Sequence, residues 1–146
     1  MENTMLKIST RGQYALMIMT YLGQQNSESY ISLKTLAARH GLSPKYLEQI
    51  MIQLSKAELV AALRGNNGGY KLIRPAEKYT AGEILRAMEG DLSPKGTTQT
   101  VNEDKGNKKF WENFEKAING YVDSVSLEDI VDENRASDSE GYLYYI

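Results

Sequence analysis

Within five residues, Lys45, Tyr46, Glu48 and Gln49 present an ammonium, a phenol, a carboxylate and a carboxamide. These groups match the edges of base pairs: lysine donates to guanine O6 and N7, glutamine pairs with adenine N6 and N7, and glutamate accepts from cytosine N4. Tyr46 has the reach for a phosphate or a thymine methyl, and Ser43 stands just ahead of the set. A second cluster follows in RGNNGGYK, where Arg64, Asn66, Asn67 and Lys71 surround three glycines. A guanidinium there can enter a minor groove or grip phosphate, and Lys71 and Arg74 add cations for the backbone. The glycines fit neither the GxGxxG nor the Walker pattern, so a nucleotide cradle is not expected. Double-stranded DNA is the partner this chemistry points to.

Such groups work only if the chain holds them on rigid elements. Ser32 is placed to cap a helix over 33–40, with Leu33, Leu36 and Ala37 turned inward, and Gly41 supplies a sharp exit that Leu42 can plug. Ser43 and Pro44 then open a second helix to about Lys56, because proline is tolerated where no N–H is needed. Leu47, Ile50, Met51 and Leu54 form its apolar stripe and leave Lys45, Glu48 and Gln49 on the opposite face. LVAALR over 59–64 reads as a strand, Asn-Asn-Gly-Gly as a turn tolerant of positive φ, and YKLIR as the returning strand ended by Pro75. Thr80 to Glu83 is a capping box for a helix to about Glu89, stopped by Gly90. Upstream, residues 10–25 predict a helix with Tyr14, Met17, Ile18 and Tyr21 on one apolar face. Leu16 and Met19 lie on its other side, so this helix should be sandwiched.

The expected fold is therefore mainly α with a small β-hairpin wing: a winged helix-turn-helix over residues 1–90. A polar loop over 91–107 should follow, then dimerisation helices over 108–131 and an acidic tail over 132–146 with an apolar end. The long helix from 108 to about 125 carries Trp111, Phe114, Ile118, Tyr121 and Val125 at alternating steps of three and four, the seam of a two-helix contact. SLEDIV, residues 126–131, predicts a short further helix capped by Ser126.

Composition narrows the class. Residues 1–80 carry ten Lys and Arg against five Asp and Glu, whereas residues 81–146 carry seven against fourteen. The net charge of -2 thus conceals a basic front and an acidic back, a distribution suited to meeting phosphate with one half only. No apolar run is long enough to span a membrane, and MENTMLKIST lacks a signal-peptide core, so a cytoplasmic protein is expected. With no cysteine, thiolate metal sites and cysteine-ligated clusters are excluded within the chain, and no cofactor or metal is expected. His40, the sole histidine, sits at a helix end where a carbonyl partner is favoured. No nucleophile–base pair is evident, so an enzyme is not expected.

With these residues placed, the sequence resembles the BadM/Rrf-two family of bacterial winged-helix regulators. The carriers are LKISTRGQYAL, SPKYLEQI, LRGNNGGYKL and TAGEILRAMEG, which together cover about residues 6–90. The resemblance implies a homodimer on a pseudo-palindromic operator, with the long C-terminal helices crossing between subunits. It also implies that Tyr46, Glu48, Gln49 and Arg64 occupy DNA-contacting positions. Many members sense iron–sulfur status or nitric oxide through three cysteines in the loop after the capped helix. The loop here has none, so cluster sensing should be absent.

KKFWENFEKAINGYVDSVSLEDI and the closing EGYLYYI resemble a cysteine-free branch that represses cysteine metabolism in Gram-positive bacteria. In that branch the partner is O-acetylserine sulfhydrylase. A terminal Ile146 carboxylate behind Tyr144 and Tyr145 would be a compact anchor for a pocket that holds an amino acid. The expectation is that the sulfhydrylase grips this end in competition with O-acetylserine, the alternative being a tail docked on its own domain. Taken together, the expected function is sequence-specific repression of sulfur-metabolism genes. The competing expectation is a winged-helix protein–protein adaptor that does not bind DNA by itself.

Overall fold

A computed structural model describes residues 7–25, 28–95 and 103–144, with side chains as far as Asp138. Helix α1 (Thr10–Gln25) is followed by α2 (Leu33–His40), α3 (Pro44–Lys56), strands β1 (Val60–Leu63) and β2 (Gly69–Leu72), and a 3-10 turn at Ala76–Lys78. Helices α4 (Ala81–Glu89), α5 (Lys105–Ser124) and α6 (Leu127–Tyr144) complete the order. Among the described residues no helix is long and apolar enough to cross a membrane.

Capping chemistry sets most of the boundaries. Ser32 Oγ accepts the Thr35 N–H at 3.1 Å, and Ser43 Oγ accepts the Tyr46 N–H at 3.2 Å. Gly41 closes α2 at φ 65°, ψ 34°, the left-handed conformation that costs a glycine least. Thr80 and Glu83 form the reciprocal capping box of α4. His40 Nδ1 meets the Leu36 carbonyl at 2.9 Å, and the ring sits edge-on to Tyr21. The helix end thus uses its lone imidazole as a local partner.

The core lies where α1, α3 and α4 converge. Leu47, Ile50, Met51 and Leu54 of α3 are fully buried against Ile18, Met19, Leu36 and Ile84. Tyr79 is also fully buried, yet its hydroxyl is satisfied three times. It donates to Leu59 O at 2.8 Å and accepts the N–H groups of Ile73 and Arg74. One phenol therefore ties the start of β1, the end of β2 and the lead-in to α4. A further tie was not expected: Ile31 and Tyr70 exchange two backbone hydrogen bonds at 2.9 Å, joining the approach to α2 with the hairpin.

Three local expectations are corrected. In α1, Met17 is 51% exposed and Tyr14 and Tyr21 are half-buried, while the buried line runs through Ala15, Ile18, Met19 and Leu22. Gly12 and Gly23 end that line, and a Cβ at either would press on Glu89 or Val131. Close approach to α4 and α6 chose this face, and close approach depends on small residues that an apolar periodicity does not weigh. In the hairpin, positive φ falls on Gly65 (109°) and Gly69 (149°), not on Asn66 or Asn67. The register pairs Leu63 with Gly69 and leaves 64–68 as the connection, so the turn is wider than an Asn-Gly hairpin.

The third correction concerns the C-terminal half. Helix α5 starts earlier than expected, at Lys105, where Asp104 accepts the Asn107 N–H at 2.8 Å; Val125 is its extended cap, not its last turn. Helix α6 runs to Tyr144, replacing the short helix and most of the acidic tail. Ser126 and Asp129 cap each other's backbone N–H, and Leu127 and Val131 are fully buried beside α1. Anchored there, the polar remainder continues as helix, with Asn134 and Arg135 bonding to Gln24. Residues 96–102 of the expected loop, together with Tyr145, Ile146 and the Tyr144 side chain, lie outside the described residues.

Candidate nucleic-acid interface

Burying Leu47, Ile50, Met51 and Leu54 forces the other side of α3 outward, because side chains three and four apart share a face. Lys45, Glu48 and Gln49 are accordingly exposed, as are Ser43 and Pro44 at the helix entry. Arg64, Asn66 and Asn67 are exposed on the hairpin connection. Between hairpin and helix runs an open groove of about 830 Å³, walled by Glu48, Ile52, Lys56, Leu63, Arg64 and Tyr70. The Tyr70 phenol is pushed above its ordinary pKa first by burial and then by the Glu48 carboxylate. A phenol across from a carboxylate stays neutral and keeps its proton to donate.

Glycine holds the hairpin close to the body. A Cβ on Gly69 would collide with the Ile31 carbonyl, and one on Gly68 with the Leu63 carbonyl. The hairpin can therefore lie flat against the approach to α2 and α3, carrying Arg64 beside the recognition face.

Four of the expected contact residues are engaged within the fold, Gln49 among them through a bond to its oxygen from Arg11. Tyr46 is half-buried, its ring edge-on to Tyr14 at 6.2 Å between centroids. Lys71 donates to Glu28 O at 3.1 Å and lies over the Tyr30 ring at 4.8 Å, away from the hairpin tip. Arg74 is a structural residue: it makes a bidentate pair with Glu83 at 2.9 Å, donates to Lys78 O and covers the Tyr79 ring. That hydrogen-bonded pair lowers the Glu83 pKa and raises that of Arg74. A guanidinium so fully subscribed has little left for phosphate.

Sequence reasoning missed Arg11, on the first turn of α1. Its guanidinium donates to Gln49 Oε1 and Gln53 Oε1, each at 2.9 Å, and its carbon lies 5.9 Å from the centre of the Tyr46 ring. Tyr46, Gln49 and Gln53 recur at i, i+3 and i+7, the stripe of α3 that faces α1. That spacing was the available signal, but which arginine would meet it depends on the packing of α1.

Helix α5 contrasts with this compact half. None of its 20 residues is buried. Trp111, Phe114 and Ile118 are half-exposed, Tyr121 is 70% exposed, and Phe110, absent from the expected seam, is 56% exposed. Phe110, Trp111 and Phe114 cluster on one another, with ring centroids 5.1 to 6.0 Å apart. The helix is fastened at its C-terminal end, where Arg86 of α4 makes a bidentate pair with Asp123 and also bonds to Asn119. That bond holds the Asp123 carboxyl below its usual pKa.

A recognition-type helix with Lys45, Glu48 and Gln49 exposed, set beside a hairpin held close by glycines, defines a winged helix-turn-helix DNA-binding protein. Comparison with known proteins supplies the family. The one described as "Rrf2: Iron-dependent Transcriptional regulator" matches residues 8–133. The chain belongs to this Rrf2 family and is a DNA-binding transcriptional regulator. It is 37% identical over 141 residues to the HTH-type transcriptional regulator CymR of Bacillus subtilis (strain 168), spanning 97% of this chain and all of that protein. The structure of CymR, described as the global cysteine regulator of B. subtilis, superposes with a TM-score of 0.79 at 39% identity, covering 88% of this chain and 98% of that one. The structure of T. potens IscR gives a TM-score of 0.74 at 38% identity, covering 96% and 97%.

The family description names iron, and the donor set here does not fit it. The chain has no cysteine to supply thiolate and a single histidine. Among the described residues no three His, Cys, Asp or Glu side chains gather as a metal site. Membership of the family therefore does not carry iron chemistry to this chain.

Proposed function

We propose that this protein represses genes of cysteine and sulfur-amino-acid metabolism by binding a pseudo-palindromic operator as a homodimer. The observation that carries the reading is the end-to-end similarity to a protein described as a global cysteine regulator, on a fold that exposes Lys45, Glu48 and Gln49 of α3. Lys45, Glu48 and Gln49 would meet base edges in the major groove, with Ser43 at the helix entry beside phosphate. Arg64, with Asn66 and Asn67, would follow the backbone or a narrow minor groove. Tyr46 and Lys71 enter this reading as supports of helix and hairpin, since their side chains are taken up by Tyr14, Arg11, Glu28 and Tyr30.

The second copy belongs on α5. An amphipathic helix with none of its residues fully buried among the described residues, yet carrying Phe110, Trp111, Phe114, Ile118 and Tyr121, suits a second copy as its partner. A second copy whose long helix crosses this one would bury that stripe and set two α3 helices against successive major grooves. Regulation then runs through a metabolite or a protein, in a cytoplasmic setting. The resemblance implies O-acetylserine sulfhydrylase, with Tyr144, Tyr145 and Ile146 as the gripped segment. Deleting Ile146 should abolish co-purification of that enzyme, and undiminished capture would discard the partnership.

The decisive experiment is selection of genomic fragments by the purified protein at two salt concentrations, with and without the sulfhydrylase. Palindromes upstream of sulfur-metabolism genes, bound less tightly as salt rises, are the expected result. Palindromes beside other genes would overturn the cysteine assignment and keep the DNA mechanism. No enrichment under any condition would favour an adaptor that binds proteins alone.

A further inference from the structure

The contact between Arg11 and Gln49 has a chemical consequence for what Gln49 can read. A carboxamide has one accepting end and one donating end, and only its hydrogen-bond network tells them apart. Arginine donates and never accepts, so the end of Gln49 facing Arg11 must be its oxygen. The other end, the amide nitrogen, points away from α1, and among the described residues it meets no protein acceptor.

Arg11 is itself held in place. Ser9 donates from both its backbone N–H and its hydroxyl to the Glu89 carboxylate, fixing the first turn of α1 to the end of α4. Gly12 allows this approach, since a Cβ there would strike Glu89. From that fixed turn the planar guanidinium reaches two carboxamides four residues apart on α3, one per nitrogen. The Tyr46 ring lies beside it and closes the third side.

We infer that Arg11 is a positioning residue for base recognition: by holding the Gln49 oxygen, it makes Gln49 a donor toward the DNA. An unrestrained glutamine pairs with adenine by accepting from N6 while donating to N7. With one of its two oxygen lone pairs taken by Arg11 and its plane fixed, Gln49 is disposed to donate from its amide nitrogen more readily than to accept and donate together as adenine requires. The edges that suit it are then those presenting acceptors, guanine N7 and O6 or thymine O4. Cytosine, whose major-groove group is the N4 donor, is the least suited. This rests on the proposed DNA-binding role of α3 and sharpens it.

The test uses the full chain and an operator obtained by the genomic selection. Binding of wild type, Arg11→Met, Arg11→Lys, Gln49→Ala and the Arg11→Met/Gln49→Ala double variant is measured by fluorescence anisotropy. The DNA set is the operator and its single-base variants under the N-terminal half of α3, across a salt series. Wild type should prefer guanine or thymine over cytosine at one position by about tenfold. Arg11→Met should flatten that preference to the level of Gln49→Ala, with no further loss in the double variant and the same salt slope. Arg11→Lys should flatten it too, because one ammonium cannot hold two carboxamides in a planar fork.

Two results would overturn the inference. One is a uniform loss across all sequences in Arg11→Met with a salt slope smaller by about one, which marks a direct phosphate contact. The other is retention of wild-type discrimination by Arg11→Lys, which also decides the matter if the methionine variant does not fold. Wild-type protein that selects no sequence at all would instead remove the proposed function, leaving the two failures distinct.

Discussion

The half of the molecule from α1 to α4 and the helix α5 both carry large apolar side chains at helical spacing, but they use them differently. In the first, Leu36, Leu47, Ile50, Met51, Leu54 and Ile84 are fully enclosed by their own chain. In α5, Phe110, Trp111 and Phe114 pack on one another, and among the described residues none of the helix is fully buried. Both segments are amphipathic helices with a good N-terminal cap. Amphipathicity alone therefore does not say whether a helix closes its own domain or waits for another surface. What separates the two is connection: α3 is bracketed by short links to α2 and β1, whereas the described attachments of α5 to α4 gather at its C-terminal end, from Asn119 to Val125.

This contrast can be broken by substitution. Leu54→Ala removes a fully buried side chain and should destabilise the domain by about 2–5 kcal/mol at any protein concentration, read from chemical denaturation. The matching change Phe114→Ala should act mainly on association, so that its melting temperature depends on concentration and sedimentation equilibrium shows a weakened dimer. A concentration-independent loss as large as that of Leu54→Ala would erase the distinction between the two regions.

Tyr79→Phe comes next. It leaves the Ile73 and Arg74 N–H groups and the Leu59 carbonyl without their shared partner, at a cost of about 1–3 kcal/mol. Local opening of the hairpin should show first, as faster amide exchange over 69–74. Thr80→Ala removes the α4 cap and should cost about 1 kcal/mol, with no effect on association.

The smallest effect is on the acid limb of stability. Hydrogen bonding to Arg74 lowers the Glu83 pKa, so the pair's contribution is complete above the unfolded carboxylate value and disappears as pH falls through the folded one. Asp123, held by Arg86, follows the same sign at the root of α5. Glu83→Gln should flatten the loss of thermal stability below the ordinary carboxylate range and leave neutral-pH association unchanged. An unaltered acid limb would show that the pair is too well solvated to matter.

Much of the recognition half was legible because its instructions are local. Ser32, Gly41, Ser43-Pro44 and the Thr80–Glu83 box each bond within three or four residues, and α3 declares its buried face by period alone. The exposed set Lys45, Glu48 and Gln49 followed from that face, and Arg64 from the glycine-rich hairpin signal. The partners of Arg74 and Lys71 within the fold were not legible, for the opposite reason. A cation near a wing reads as a phosphate contact until the carboxylate of Glu83 or the carbonyl of Glu28 is known to lie beside it.

By itself the sequence determined the element order, the caps and the polar face of α3, since each depends on neighbours a turn or less away. Tertiary structure alone decided which face of α1 is buried, how far α6 extends, and that Arg11 reaches Gln49. Each of these is a contact between residues distant in sequence, such as Gly12 with Glu89 or Gln24 with Asn134. Their geometry is set by how closely whole helices can approach, and no local pattern of residue types encodes that distance.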